Sequence, residues 1–186
     1  MHDKTNPWIL MKEEGSTLTL SKRVFLFVAF ALLSGFLTSI FAQPPNPPRP
    51  IMLTANNSFP LAFGAFTPGA GGGTVILSPA GTRTSTGTVI LLNLGYSYSS
   101  AMFYIRANPG SVVSLMISSP VTLTRGGGGT LTLNLGGTQP ASPFVTTLPW
   151  PQQTTLLVGG TLSVGPIGSN PAGQYNGTFS VTCIQE

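Results

Sequence analysis

The chain has 186 residues, 41% of them hydrophobic and only 6% charged, with 23 glycines and 17 prolines in no collagen-like period. That apolar content supplies the core of one domain, and short Val, Ile, Leu, Phe and Thr runs between turn residues exclude a disordered chain and predict a turn-rich all-β protein. From Gln43 onward the only charged side chains are Arg49, Arg83, Arg106, Arg125 and Glu186, which excludes the clustered basic footprint of a nucleic-acid binder.

Residues 1–23 are polar and end in Lys22-Arg23; residues 24–42 are apolar throughout. A basic start, an apolar middle and a small residue, Ala42, before a polar segment predict a secretory signal peptide over 1–42, with Met1 or Met11 as its start. A retained membrane anchor is the competing reading, since the run is long enough to span a bilayer. Both readings place the rest of the chain outside the cytoplasm, secreted or on the cell surface. No cysteine follows the apolar run until Cys183, so a bacterial-type lipid anchor is excluded. Residues 43–50, Gln-Pro-Pro-Asn-Pro-Pro-Arg-Pro, read as a stiff polyproline linker.

Residues 51–186 read as one secreted β domain. Strands are expected at Ile51–Thr54, Leu61–Phe66, Thr74–Ser78 and Thr86–Asn93, the last with a continuous apolar run, Val89–Leu92, expected to be covered on both faces. Ala101–Ala107 turns Phe103 and Ile105 to one side. After Asn108-Pro-Gly110, Ser111–Ser118 points Val113, Leu115 and Ile117 one way. Val121–Thr124 and Thr130–Leu135 flank four glycines, and Thr154–Val158 and Thr161–Val164 are expected as two strands around Gly159-Gly160. The final stretch, Gly173–Glu186, alternates as one long strand, with Tyr175, Phe179, Val181 and Cys183 on its apolar face. About ten short strands without a helical period predict an all-β fold, an immunoglobulin-like sandwich or a barrel.

Little in this composition supports catalysis. Beyond Gln43 there is no histidine, no aspartate and one glutamate, so paired carboxylates, a serine triad and the usual metal-ligand sets are all missing. The glycine runs at 71–73 and 126–129 lack the Lys-Ser/Thr of a phosphate loop and open no helix. The expectation is a non-enzyme with no cofactor and no metal. Cys183, the only cysteine, is expected as a small buried hydrophobe, an intermolecular disulfide being the alternative. Tyr96, Tyr98 and Trp150, together with Tyr104, are candidates for a sugar-binding aromatic platform, against the plainer reading that they pack the ends of the sandwich.

Several blocks, taken in order, resemble one family. Arg49-Pro-Ile-Met-Leu-Thr54, Leu61-Ala-Phe-Gly64, Gly71-Gly-Gly-Thr-Val75, Pro79-Ala-Gly-Thr-Arg83 and Gly87 are similar to the secreted bacterial domain of unknown function four-four-zero-two (DUF4402), as are Pro120-Val-Thr-Leu123, Gly159-Gly-Thr-Leu-Ser-Val-Gly165 and Pro171–Thr182. The resemblance implies an exported β-sandwich like pilus subunits, with copies of itself or a periplasmic chaperone and usher as partners. The last block is also similar to the end of spore-coat-U-like and archaic fimbrial subunits. In such proteins the final strand, here carrying Tyr175, Phe179, Val181 and Cys183, borders the groove that a partner completes. Cys183 and Gln185 stand where the family commonly has Val and Tyr, and Gln43–Pro50 is too rich in proline to donate a strand. The expected role is a pilus-like or cell-surface structural subunit, with a glycan-binding surface module as the alternative.

Overall fold

The computed structural model describes residues 49–186, which form fifteen short β-strands and no helix. The expected signal peptide and all but the last two residues of the expected linker lie outside the described residues. In chain order the strands are β1 (Met52–Ala55), β2 (Ala62–Phe63), β3 (Ala65–Thr67), β4 (Gly73–Leu77) and β5 (Arg83–Gly87). Next come β6 (Ile90–Leu92), β7 (Tyr98–Ser99), β8 (Ala101–Arg106), β9 (Val112–Ile117) and β10 (Val121–Arg125). The last five are β11 (Thr130–Gln139), β12 (Phe144–Val145), β13 (Thr154–Val164), β14 (Tyr175–Asn176) and β15 (Val181–Gln185).

The fold is an all-β sandwich built around β13. This strand runs antiparallel to β11 along most of its length on one side. On its other side it pairs first with β8, Thr154 to Val158 against Ile105 to Ala101, and then with β4, Gly160 to Val164 against Leu77 to Gly73. The principal sheet therefore runs β1-β8-β13-β11-β10-β14, with β4 and β5 attached at the far half of β13. Alternation along β13 is unbroken: Leu156, Val158, Leu162 and Val164 are all buried on one face, as a half-buried strand requires.

Two second layers cover that face. Over the β4 half, a ribbon made of β2–β7 and β3–β6 brings Phe63, Phe66, Val89 and Leu91 against Val75, Leu77, Leu131, Leu133, Leu162 and Val164. Over the β8 half, the three-stranded sheet β12-β9-β15 brings Leu115, Ile117, Phe144, Val181 and Cys183 against Ala101, Ile105, Leu156 and Val158. Phe179 touches both clusters, and its ring meets Phe103 edge-on at 6.1 Å.

The ribbon is interrupted where β2 passes to β3 and β6 to β7, and Arg83 fills the interruption. Its Nη1 donates to the Phe63 carbonyl at 2.9 Å and the Ala65 carbonyl at 3.4 Å, and Nη2 donates to the Leu92 carbonyl at 3.3 Å. Gly64 lies between the first two acceptors with φ +66°, and a Cβ there would overlap Arg83 Nη1. The guanidinium thus replaces ladder bonds that the broken strands cannot make to each other.

Several expected strand boundaries are corrected. Thr86–Asn93 is two strands, because the chain turns at Gly87 (φ +66°), and Ile90 is 59% exposed instead of covered on both faces. Gly159-Gly160 is not a turn: β13 is continuous through it, and the missing side chain lets β4 come close. A Cβ on Gly159 would overlap the Leu77 carbonyl oxygen and sit 2.9 Å from the Pro79 ring. The single C-terminal strand is divided, β14 pairing with β10 in the principal sheet and β15 with β9 in the second layer. It changes sheet because its partner chain does so too, β9 turning into β10 across Ser118–Pro120; sandwiches make their corners in this way.

Gly159→Ala is expected to destabilise the domain by about 2 kcal/mol or more through overpacking against backbone. Gly126→Ala, with nothing within 4 Å of its Cβ position, is expected to stay within about 0.5 kcal/mol of the parent. Urea unfolding of both variants checks the contrast.

Candidate functional site

Two of the domain's open sheet edges lie on the same half of the sandwich. β1 ends the principal sheet and β15 ends the three-stranded sheet, and no described strand pairs with the outer side of either. Which backbone groups are left over follows from the ladder. The Ser118 N–H donates to the Ser180 carbonyl at 3.0 Å, and the Glu186 N–H donates to the Val112 carbonyl at 3.1 Å. Antiparallel pairs alternate between bonded and non-bonded, so Thr182 and Ile184 are bonded to β9 while Val181, Cys183 and Gln185 direct their N–H and C=O groups outward. On β1, the Asn56 N–H donates to the Met102 carbonyl at 2.9 Å; the same parity leaves Leu53 and Ala55 outward.

Both edges belong to the less complete half of the core. In the cluster under the ribbon, nine side chains are buried and seven half-covered. In the cluster under β9 and β15, four are buried and eleven half-covered, among them Ile51 and Leu53 from the β1 side and Val181 and Cys183 from β15. Apolar surface and free backbone groups thus occur on the same two strands. An added strand could use both.

Tyr175, Phe179, Val181 and Cys183, expected on a partner-facing strand, are placed differently in detail. Their side chains pack onto the domain's own two clusters, and the Tyr175 hydroxyl donates to the Pro171 carbonyl at 2.7 Å. What β15 presents outward is its backbone, together with exposed Thr182 and Ile184 on its outer face. Burial pushes the Cys183 thiol up from its ordinary pKa, so it is less readily ionised than a free thiol.

The candidate aromatic platform is not one surface. Tyr98 lies in β7, 48% exposed, with the Arg83 guanidinium over its ring at 4.4 Å. Tyr96 stands 72% exposed in the loop before β7, so the two rings do not share a strand face. Trp150 lies at the other end of β8, beside Arg106 and Arg49; the five residue steps from Ala101 to Arg106 separate the groups by roughly 17 Å at ~3.3 Å per residue. Tyr104 accepts a hydrogen bond from Asn56 Nδ2 at 2.9 Å, between β8 and the turn after β1. An open depression of about 490 Å³ lined by Gln139, Phe144, Val145, Thr154, Thr155 and Leu157, among others, carries no acid or base.

The residues that pattern reading passed over are the arginines. Arg83 and Arg125 each bind three backbone carbonyls, Arg125 those of Gly127, Gly128 and Ala172. Arg49 and Arg106 lie against an indole instead. The available signal was numerical: four arginines share one glutamate, so most must find something other than a carboxylate.

The family model for a domain of unknown function, DUF4402, matches residues 53–184. The chain belongs to the DUF4402 family. No curated protein and no solved structure matches it. The matched span begins in β1 and ends in β15, so both open edges fall within the DUF4402 domain itself.

For this DUF4402 domain, the raised Cys183 pKa gives a pH test. The folded state keeps the thiol proton at pH values where the unfolded chain has lost it. Stability is therefore expected to fall as pH rises through the ordinary thiol range towards the raised value. The urea midpoint of the parent should drop more between pH 8 and pH 10 than that of Cys183→Ala.

Proposed function

We propose that this DUF4402 protein is a non-catalytic structural subunit of an exported, cell-surface assembly, joined to its neighbours by strand addition at the β15 edge. The observation that carries this reading is the coincidence of outward N–H and C=O groups at Val181, Cys183 and Gln185 with the half-covered cluster beneath them. A strand laid along β15 gains main-chain hydrogen bonds and buries alternate side chains at once. Each half-exposed aliphatic side chain that it covers contributes on the order of 1 kcal/mol.

Three features support the reading. The apolar run over 24–42 has the form of an export leader. Residues 49–186 offer Glu186 as their only carboxylic side chain and no histidine, so assembly falls to backbone and apolar contacts. The outer faces carry Thr, Ser and Asn, for example Thr130, Thr132 and Asn134 along β11, a surface suited to packing between like subunits. The donated strand comes from another subunit or an export chaperone, because residues 43–50 contain five prolines and cannot supply a regular ladder.

Replacing both Cys183 and Gln185 by proline removes two outward donors and leaves the β9 ladder its own. Assembly into surface material, followed by fractionation and electron microscopy, is expected to fall at least about tenfold, since each lost hydrogen bond is worth about 1 kcal/mol. Ile184→Pro removes a donor used by β9 and is expected to reduce folding itself. A double variant that folds and still assembles like the parent sinks the strand-addition reading.

A further inference from the structure

We propose that Arg49, Arg106 and Trp150 form a binding site for an acidic saccharide, with the two guanidiniums holding its carboxylate. The Arg49 guanidinium carbon lies 5.4 Å, and that of Arg106 6.0 Å, from the centre of the same indole ring. Among the described residues the only carboxylic side chain is Glu186, and it accepts a hydrogen bond from Ser114. Two cations therefore lie beside one aromatic ring, and no carboxylic side chain of the described residues pairs with either. Their summed charge attracts an oxyanion.

Arg106 adds a second observation. Its Nε is buried and meets no hydrogen-bond partner among the described residues. Arg83 and Arg125, by contrast, are held by carbonyls. Among the described residues no backbone carbonyl binds the Arg106 guanidinium, so its charge is only partly compensated by the indole, and an oxyanion can bind its terminal nitrogens.

The neighbours of the pair favour a sugar over a bare inorganic anion. Trp150 is fixed in the turn Pro149–Gln152, where the Gln152 N–H donates to the Pro149 carbonyl at 2.8 Å, and offers a flat apolar wall. Thr154 pairs with Ile105, so one step along the same register brings Gln153 opposite Arg106. Gln152 and Gln153 are both exposed, and their amides suit hydroxyl groups as donor and acceptor. Planar forks for a carboxylate, an aromatic wall for a ring and amides for hydroxyls together match a hexuronate. This site is at the far end of β8 from Tyr98 and does not depend on strand addition at β15.

The test uses the full chain, purified as an exporting host leaves it, titrated with oligogalacturonate while tryptophan fluorescence and calorimetry are followed. Saturable binding is expected, weakened by added salt because the contacts are ionic. Arg49→Ala, at an exposed position, is expected to raise Kd roughly tenfold or more, as is Arg106→Gln, on the scale of one lost charged hydrogen bond. Thermal melts identify any unfolding of the Arg106 variant, and the Arg49 variant decides the matter if it occurs. A neutral galactose oligomer of equal length should not bind. Equal binding of the neutral oligomer, parental affinity in Arg49→Ala, or no binding at millimolar oligogalacturonate in low salt each overturns the proposal. Inorganic phosphate that binds as tightly as the oligomer and displaces it overturns the assignment to a saccharide.

Discussion

The whole sandwich depends on one strand keeping its alternation while its neighbours change. β13 supplies Leu156 and Val158 to one cluster and Leu162 and Val164 to the other, and hands its outer pairing from β8 to β4 between Val158 and Gly160. At that exchange the Leu77 carbonyl and Pro79 press onto Gly159 from one side, and Leu133 and Leu135 approach Gly160 from the other. Side chains at either position would separate the sheets at their meeting point. Fully burying an aliphatic side chain stabilises by about 1.5–3 kcal/mol, so the four inward residues of β13 matter only because the two glycines let both halves close on them.

Strand faces were legible in the amino-acid pattern, and strand ends were not. Val113, Leu115 and Ile117, Leu131 and Leu133, and Phe103 and Ile105 all turn inward as their alternation requires. Even the divided C-terminal segment keeps Tyr175, Phe179, Val181 and Cys183 on core-facing positions. The errors fall at glycine. Gly64 and Gly87 break strands that looked continuous, whereas Gly159-Gly160 continues one that looked broken. A glycine supports a turn, a kink or a close approach equally well, and only the neighbouring chain decides among them. The candidate site was less legible still. Whether Tyr98 and Trp150 share a surface depends on which end of β8 each reaches, and that is a matter of three-dimensional order.

Scarcity of acids shapes the electrostatics. A guanidinium in a domain with one carboxylic side chain must be satisfied by dipoles or by aromatic faces. Arg83 and Arg125 take the first course and thereby hold together loops that lack a regular ladder. Arg49 and Arg106 take the second, which leaves their charge available. The same residue type thus acts as a backbone staple in two places and as an unneutralised surface charge in another, and the difference lies in how many carbonyl oxygens are within reach.

The pairing of β9 with β15 also has a consequence in time. β9 is complete by Ile117, yet the strand that pairs with it begins only at Val181, and Ser118 and Ser180 are separated by 62 positions. Contacts so distant along the chain form slowly, because the intervening loop must first be closed. A chain emerging from a ribosome therefore carries β9 with one side bare until nearly everything else has followed. Throughout that interval the side of β9 later taken by β15 is open, and a chaperone that covers it would act on the same half of the sandwich that the finished domain leaves least complete.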